Sequence, residues 1–428
     1  MHSSSLRIVH IGTADNRGGA ARAAFQLHEG LRRLGHDSRM LVGQRFEQRT
    51  EIDRIGFPKT FRGRILNRLI LELETRTGLQ YLIQPHRRAF LSHRFVVSTD
   101  IIHLHNLHGN FFPITILPRL SIISPMVWTL HDTWSMTGHC AYNYDCDRWM
   151  IGCGKCPILS EHPKISVDTT AFLWRVKDHL YRRSNICVVA PSRWLTTMAR
   201  TSPLLGRFDT HCIPYGIDTQ GFHPVDRVVA RHRLGFPADG PLIMFIALPE
   251  DKRKGRDYIV QALQKLKSEV KPSLLVVGSQ GLLRGIPEGM RIHEVGYVDS
   301  TELMNLCYSA ADVFVLPTLA DNLPLSLLEA LAAGTPSVAF NAGGVSDIVR
   351  HKDTGYLANY KDSDDLARGI EMILTDHGLR AAMRLRCREV AVAEYSLDLQ
   401  ARRFEDLYKN VIQSSKKTRQ GMVHPSNC

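Results

Sequence analysis

The chain has 428 residues, 44% of them apolar and 22% charged, a composition that excludes a disordered polymer, a fibrous repeat or a coiled-coil rod. At roughly 150 residues per domain it makes two or three domains, large enough to fold without disulfide or metal staples. Its 54 Lys and Arg against 42 Asp and Glu give a formal charge of +12, which favours acidic partners (nucleotide phosphates, anionic lipid or nucleic acid) without choosing among them.

Met1 to Ser5 lacks the charged start of a signal peptide, and the apolar stretch Ile8, Val9, Ile11 is too short for one. No apolar run reaches the roughly 18 residues that span a bilayer. Nine cysteines scattered through a large chain do not form a secreted disulfide scaffold. The cytoplasm is the expected compartment.

Leu6 to Ile11 reads as a buried strand, followed by a loop through Gly18-Gly19 and a helix from Ala20 to Leu34 that stops at Gly35. Met40 to Val42 begins a second strand, and short apolar runs recur at 101–104, 126–130 and 187–190. Continuous apolar runs alternating with helical patterns predict parallel strands covered on both faces. Residues 45–94 interrupt this series with Arg62, Arg64, Arg68, Arg76, Arg87, Arg88 and Arg94 among Ile65, Leu66, Leu69, Ile70, Leu73 and Leu82. They form either a basic amphipathic surface for an anionic membrane or a solvated helical insertion packed on its own domain.

After Pro214-Tyr215-Gly216 a second series begins. Strands are predicted at 242–247, 274–277, 313–316 and 337–340, with helices at 257–267, 301–309 and 324–333. Two such series predict an α/β chain of two doubly wound, Rossmann-like domains with a cleft between them. The predicted boundaries are 1–215, with the insertion 45–94 and a cysteine-rich loop 131–157, and 216–396. Residues 397–428 form a last amphipathic helix (Ala401, Phe404, Leu407, Tyr408, Val411) that packs back on the first domain, then a polar, frayed tail from Ser414.

The most informative stretch is Asp321-Asn322-Leu323-Pro324-Leu325-Ser326-Leu327-Leu328-Glu329-Ala330, closed by Gly334-Thr335-Pro336 and followed by Gly343-Gly344. A helix start after a strand offers unpaired N–H groups and a positive dipole end that suit a phosphate, and a carboxylate farther along can accept from ribose hydroxyls. The plain alternative is that Asp321 caps the helix and Glu329 is solvated.

This stretch resembles the E-x(7)-E signature of the retaining family-4 (group 1) glycosyltransferases, whose GT-B fold has two facing Rossmann-like domains. Asn16-Arg17-Gly18-Gly19-Ala20 resembles their N-terminal glycine loop. Ile213-Pro214-Tyr215-Gly216-Ile217-Asp218, with Phe222 and Pro224, resembles their interdomain joint. Lys252-Arg253-Lys254-Gly255 resembles their phosphate-binding turn. Val295-Gly296-Tyr297-Val298, then Leu303 and Ala311-Asp312-Val313, resembles their segment beside the nucleotide base. The matches run in order over residues 6 to about 412.

The resemblance implies a catalytic set of Asp321, Glu329, His131 and Lys254. Glu329 would bind the donor ribose and Asp321 face the transferred sugar. Donor contacts would come from Val298 and from the backbone of Asn322, Leu323, Pro324 and Leu325. Lys254 and Arg253 would neutralise the departing diphosphate. Gly18 and Gly19 would leave room for diphosphate and acceptor. His131 matches a histidine near the reacting sugar, its alternative being a structural histidine bonded to the backbone. Two positions depart from the family pattern: Asp321 is one methylene shorter than the usual Glu, and Leu248 stands where an arginine is usual.

His103-Leu104-His105 ends a strand on the cleft side and reads as cleft wall or acceptor contact, two ligands being too few for a metal. Asp145-Cys146-Asp147 spells a metal-binding tripeptide of another fold and reads as chance, and no catalytic metal is expected. Cys140, Cys146, Cys153 and Cys156, spaced C-x(5)-C-x(6)-C-x(2)-C, suit a structural zinc, with unliganded thiols, disulfides or another metal as alternatives. Trp134, Tyr142, Tyr144 and Trp149 beside them are either a sugar-stacking wall or the loop's own core. The segment from His131 to Pro157 resembles family members of bacterial exopolysaccharide assembly.

The expected activity is hexosyl transfer from a nucleotide diphosphate-sugar to a glycan or lipid-linked acceptor, at the cytoplasmic face of the plasma membrane if the basic insertion binds lipid. The alternative is a non-catalytic GT-B scaffold that binds nucleotide sugar. Nucleic acid is not expected, because no helix-turn-helix, zinc-finger spacing or aromatic-basic sheet motif accompanies the positive charge.

Overall fold

The computed structural model describes residues 5–58, 60–247, 252–267 and 269–423. Two compact units divide the chain, one of residues 1–214 and 398–428, the other of 215–397.

The first unit is built on seven parallel strands: β1 (Arg7–Ala14), β2 (Asp37–Gln44), β3 (Ile52–Arg54), β4 (Ile101–Leu104), β5 (Met126–Thr129), β6 (Ile186–Ala190) and β7 (Thr210–Cys212), in spatial order β3-β2-β1-β4-β5-β6-β7. The central strands are apolar on both faces because both faces are covered. One face packs Ile102, Leu104, Trp128 and Val188 against Phe90, Phe112, Leu120 and Tyr181. On the other, Ile8, Ile101, Val127 and Val189 meet Leu27 and Leu31 of α1 (Gly19–Arg33) and Phe404, Leu407 and Tyr408 of the C-terminal helix. That helix runs Leu397–Val423, so the basic stretch from Ser414, expected to fray, continues it.

The second unit has six parallel strands: β8 (Leu242–Ala247), β9 (Ser273–Gly278), β10 (Ile292–Gly296), β11 (Val313–Leu316), β12 (Ser337–Phe340) and β13 (Gly355–Ala358), in order β10-β9-β8-β11-β12-β13. Both sheets are doubly wound. Strand order reverses between β1 and β4 in the first and between β8 and β11 in the second. Loops leaving the carboxyl ends of such a strand pair diverge to opposite faces and open a crevice, the usual ligand position in open parallel sheets.

Candidate functional site

In the second unit, the turn Lys252–Lys254 that follows β8 lies against the loop that follows β11, where the Leu319 amide donates to the Arg253 carbonyl (2.7 Å). Gly255 makes this approach feasible. It sits at φ 74°, and a Cβ there would stand 1.8 Å from the Pro317 carbonyl oxygen, closer than any side chain tolerates. The contact delivers two cations to one carboxylate: Lys254 Nζ is 2.6 Å and Arg253 Nη1 2.9 Å from Asp321 Oδ2. Burial pushes the Asp321 carboxyl up, but Lys254 and Arg253 outweigh it and hold the group below its ordinary range. Gly343, at φ 59°, backs the Asp321 carbonyl so closely that a Cβ would lie 2.0 Å from it.

Asp321 does not cap the helix Leu325–Ala332. The cap position is Pro324, with no side-chain cap bond and no acidic residue in the first turn. The helix start therefore keeps its positive end beside the cations. Asn322 and Leu323 are buried in the connecting loop. Nor is Glu329 solvated: it is 2% exposed and accepts a 2.9 Å bond from the Tyr308 hydroxyl. Val298 is half-buried in the loop after β10. Leu248 lies outside the described residues. Asp312 precedes β11, at the opposite end of the strand from Asp321. There it is buried among Arg227 (2.8 Å), Arg231 (2.9 Å) and Arg380 (3.5 Å).

In the first unit, Gly18 (φ 91°) starts α1 with no side-chain cap, and a Cβ at Gly18 or Gly19 would meet nothing within 4 Å. Buried Asp15 braces this open loop by accepting from the amides of Asn16 (2.9 Å), Phe46 (2.8 Å) and Glu47 (2.7 Å). His103 and His105 are not cleft residues. They are 0% and 3% exposed, because β4 is a central strand covered on both faces. His103 bonds Thr129 (2.7 Å) and the Tyr408 hydroxyl (2.6 Å). His131, two residues beyond β5, is buried, with Nε2 3.0 Å from His105 Nδ1.

The sequence reading missed His108, whose Nε2 is 2.8 Å from Asp132 Oδ2 in a buried pair. Burial raises the Asp132 carboxyl, but His108, together with the Trp134 amide and His131, more than reverses that and leaves it below its usual range. The only available signal was its position three residues beyond His105, in the loop that follows β4.

The cysteine-rich loop folds around one small cavity lined by Cys140, Cys146, Cys153 and Cys156 together with His139. All four thiols are free of disulfides. The Gly138 amide donates to Cys153 Sγ (3.2 Å), and His139 Nε2 is 3.5 Å from Cys156 Sγ. The sulfurs stand around the cavity wall and do not form a three-ligand group within 4.8 Å. Trp134 and Trp149 are 3% and 6% exposed and belong to the core, so they form no sugar-stacking wall.

The description "Glycosyltransferase Family 4" matches residues 17–220, and "Glycosyl transferases group 1" matches residues 240–376. The chain belongs to the group 1, family 4 glycosyltransferases. It is 24% identical over 353 residues to the putative colanic acid biosynthesis glycosyl transferase WcaC of Escherichia coli K12, covering 78% of this chain and 82% of that one. An uncharacterized glycosyltransferase of Methanocaldococcus jannaschii is 30% identical over 193 residues, 43% of this chain and 48% of its own. Several other curated relatives are likewise matched over about half their length. The structure of HepE from Anabaena in complex with UDP-glucose superposes with a TM-score of 0.65 at 16% identity, covering 95% of this chain and all of that one. That likeness shows the GT-B fold.

The chain thus brings Lys254, Arg253 and Asp321 together at the strand reversal of its second sheet. Gly18, Gly19 and His131 follow the carboxyl ends of β1 and β5 in its first. Among the described residues, no helix is long and apolar enough to cross a membrane.

Proposed function

We propose that the chain is a retaining glycosyltransferase that moves a hexosyl unit from a nucleotide diphosphate-sugar to a glycan or lipid-linked glycan in bacterial surface polysaccharide synthesis. The carrying observation is the 2.6 Å contact of Lys254 with Asp321, beside an uncapped helix start. Breaking the sugar–diphosphate bond builds negative charge on the leaving oxygen, and cations already in place stabilise it with little reorganisation. Lys254 and Arg253 take that role, Asp321 faces the sugar, Glu329 the ribose, and His131 a sugar hydroxyl. The departing diphosphate oxygen takes the acceptor proton, so the reaction needs no separate protein base and no catalytic metal. HepE with UDP-glucose and the colanic acid assignment of WcaC support this donor and product class. The purified chain, given a panel of UDP-, GDP- and ADP-sugars with lipid extract, is expected to turn over at least one donor. Binding without turnover would favour the scaffold alternative.

The acceptor's lipid anchor has a counterpart in α2 (Phe61–Thr77). Its protein-facing side is polar: Asn67 bonds Asn110 (3.0 Å), and buried Glu74 bonds Gln84 (3.1 Å). Its outer side exposes Phe61 (70%), Leu69 (62%), Ile65, Leu66, Leu71 and Leu73. Polar inward and apolar outward reverses the ordinary surface helix. Arg62, Arg64 and Arg68 accompany the apolar stripe, while Glu72 pairs with Arg76 (2.6 Å), so the face suits an anionic bilayer. Sedimentation with phosphatidylglycerol vesicles should exceed that with phosphatidylcholine, and Ile65→Glu with Leu69→Glu should weaken it about tenfold or more. Equal binding to both vesicle types counts against this.

For the cysteine loop, the proposal is a structural zinc held by Cys140, Cys146, Cys153 and Cys156, whose thiols release protons to solvent as the sulfurs close on the ion. The supporting features are the shared cavity, the amide bond to Cys153, and a His139 ring whose Nδ1 faces the Pro163 carbonyl at 3.0 Å, which turns the lone pair of Nε2 toward the thiols. Metal analysis should find about one zinc per chain, and chelation should lower the melting temperature. Metal-free protein with an unchanged melting temperature would rule it out.

A further inference from the structure

The edge of the first sheet brings three different metal-binding side chains together. β6 and β7 run parallel, with Val188 opposite Thr210, Val189 opposite His211 and Ala190 opposite Cys212. One step back along the same register, Cys187 stands opposite Asp209, whose carbonyl accepts from the Val188 amide (2.8 Å). Residues two apart on a strand share a face. Cys187 and Val189 therefore lie on the same side of the sheet as Asp209, His211 and Ile213, where Cys187, Val189 and Ile213 belong to one apolar layer. A ligand atom of each of Cys187, Asp209 and His211 lies within 4.8 Å of those of the other two. Because β7 is the edge strand, the Asp209 and His211 side chains are 77% and 39% exposed, whereas Cys187 sits at the margin of the core, 8% exposed. His211 Nε2 is 2.8 Å from Asp209 Oδ2.

A sulfur, an imidazole nitrogen and a carboxylate oxygen are the three donor types that zinc takes, and three protein ligands leave the fourth tetrahedral position to water. A thiolate and a carboxylate also balance the charge of a divalent ion. The one other such group among the described residues, His10, His103 and His105, lacks that balance. It is wholly buried and carries no anionic ligand, so an ion there would leave two positive charges in the core. Its rings are engaged instead: His10 with His105 (3.0 Å) and Ser38 (3.1 Å), Ser38 with His28 (2.8 Å), His105 with His131 (3.0 Å), and His103 with Thr129 (2.7 Å).

We propose that Cys187, Asp209 and His211 form a second zinc site, open to solvent at its fourth position, that staples the edge strand β7 to β6. On binding, one ring nitrogen of neutral His211 gives its lone pair to the ion, Asp209 gives a carboxylate oxygen, and the Cys187 sulfur bonds as its proton passes to solvent. The gain falls where the sheet has least of its own. β7 has three residues and pairs on one side only, and it ends two residues before Pro214, where this stretch of the first unit stops. Without a metal, the exposed Asp209–His211 pair contributes little. The site is separate from the cysteine-rich loop and does not depend on the transferase reading.

The test uses the full chain, stripped with chelator and titrated with zinc chloride. The wild type is expected to bind one zinc more than Cys187→Ala or His211→Ala, with affinity at this site lowered about a hundredfold or more by either change, at least the cost of losing an outer-shell partner. Zinc should also raise the melting temperature of the wild type further than that of either variant. Asp209 and His211 lie at the surface, so Asp209→Asn and His211→Ala fold without metal and keep the comparison valid if Cys187→Ala does not. Cys212, an exposed thiol on the opposite face of the same strand, is the control, and Cys212→Ala should bind as the wild type does. Equal zinc counts and equal melting shifts in the wild type and His211→Ala overturn the proposal, as does a loss in Cys212→Ala as large as that in His211→Ala. A cysteine-rich loop that holds no zinc lowers every count by one and leaves the difference intact, so the two zinc sites fail separately.

Discussion

Lys254→Ala is expected to lower kcat for donor turnover by about a hundred- to a thousandfold, the range seen when one preorganised charge-stabilising group is removed, with the melting temperature nearly unchanged. The two effects separate because Asp321 has two partners. Without Lys254 the same Oδ2 still accepts from Arg253 at 2.9 Å, and Arg253 is also tied to the Ala320 carbonyl at 2.8 Å. Arg253 thus keeps Asp321 paired when Lys254 is removed, and the variant loses one of the two cations proposed to face the diphosphate. A second readout is acid stability. The folded Asp321 carboxyl titrates below its unfolded value, so its ion pairs stabilise the protein above the unfolded pKa, and that contribution is lost as pH falls through the folded pKa. With one cation gone the folded pKa rises toward the ordinary value, and the loss should begin at higher pH in melting curves. Unchanged kcat in Lys254→Ala would remove the basis for placing the diphosphate at this turn.

Asp312→Ala should do the reverse: lower stability by about 3–5 kcal/mol, as when one partner of a buried ion pair is removed. For a unit of this size that is a fall of about 10 °C in melting temperature. Asp312 is 1% exposed, accepts from the Leu242 amide (2.9 Å), and is the shared counterion of Arg227, Arg231 and Arg380. Arg231 is itself 1% exposed, so the truncation leaves a buried guanidinium without its carboxylate. Donor affinity measured well below the melting range should be retained, because this network lies at the amino end of β11 and the proposed donor contacts at its carboxyl end. A melting temperature within a few degrees of wild type would show the network to be worth far less than its burial implies.

The strand-and-helix alternation was legible because central parallel strands are covered on both faces and so appear as unbroken apolar runs. The edge strands were not. Ile52–Arg54, Thr210–Cys212 and Ile292–Gly296 are short or partly exposed and carry the polar residues an edge tolerates. The turn 252–255 and the Asp321–Glu329 stretch were legible as motifs, since glycines at forced backbone angles and spaced carboxylates leave a local trace.

Contacts between distant segments leave no such trace. Sequence alone determined that a helix with apolar residues and arginines lies near residues 61–77. Only the positions of Gln84 and Asn110 decided that its polar side turns inward and its apolar side outward. Sequence likewise showed a His-x-His pair at the end of a strand. Pairing β1 beside β4 set His10 opposite His103, and the sheet then joined residues 10, 28, 38, 105 and 131 into one hydrogen-bonded row. Periodicity and turn chemistry act over a few residues and can be read in order. Whether an imidazole meets solvent, a metal or another imidazole depends on which strands become neighbours, and that is decided by packing over the whole sheet.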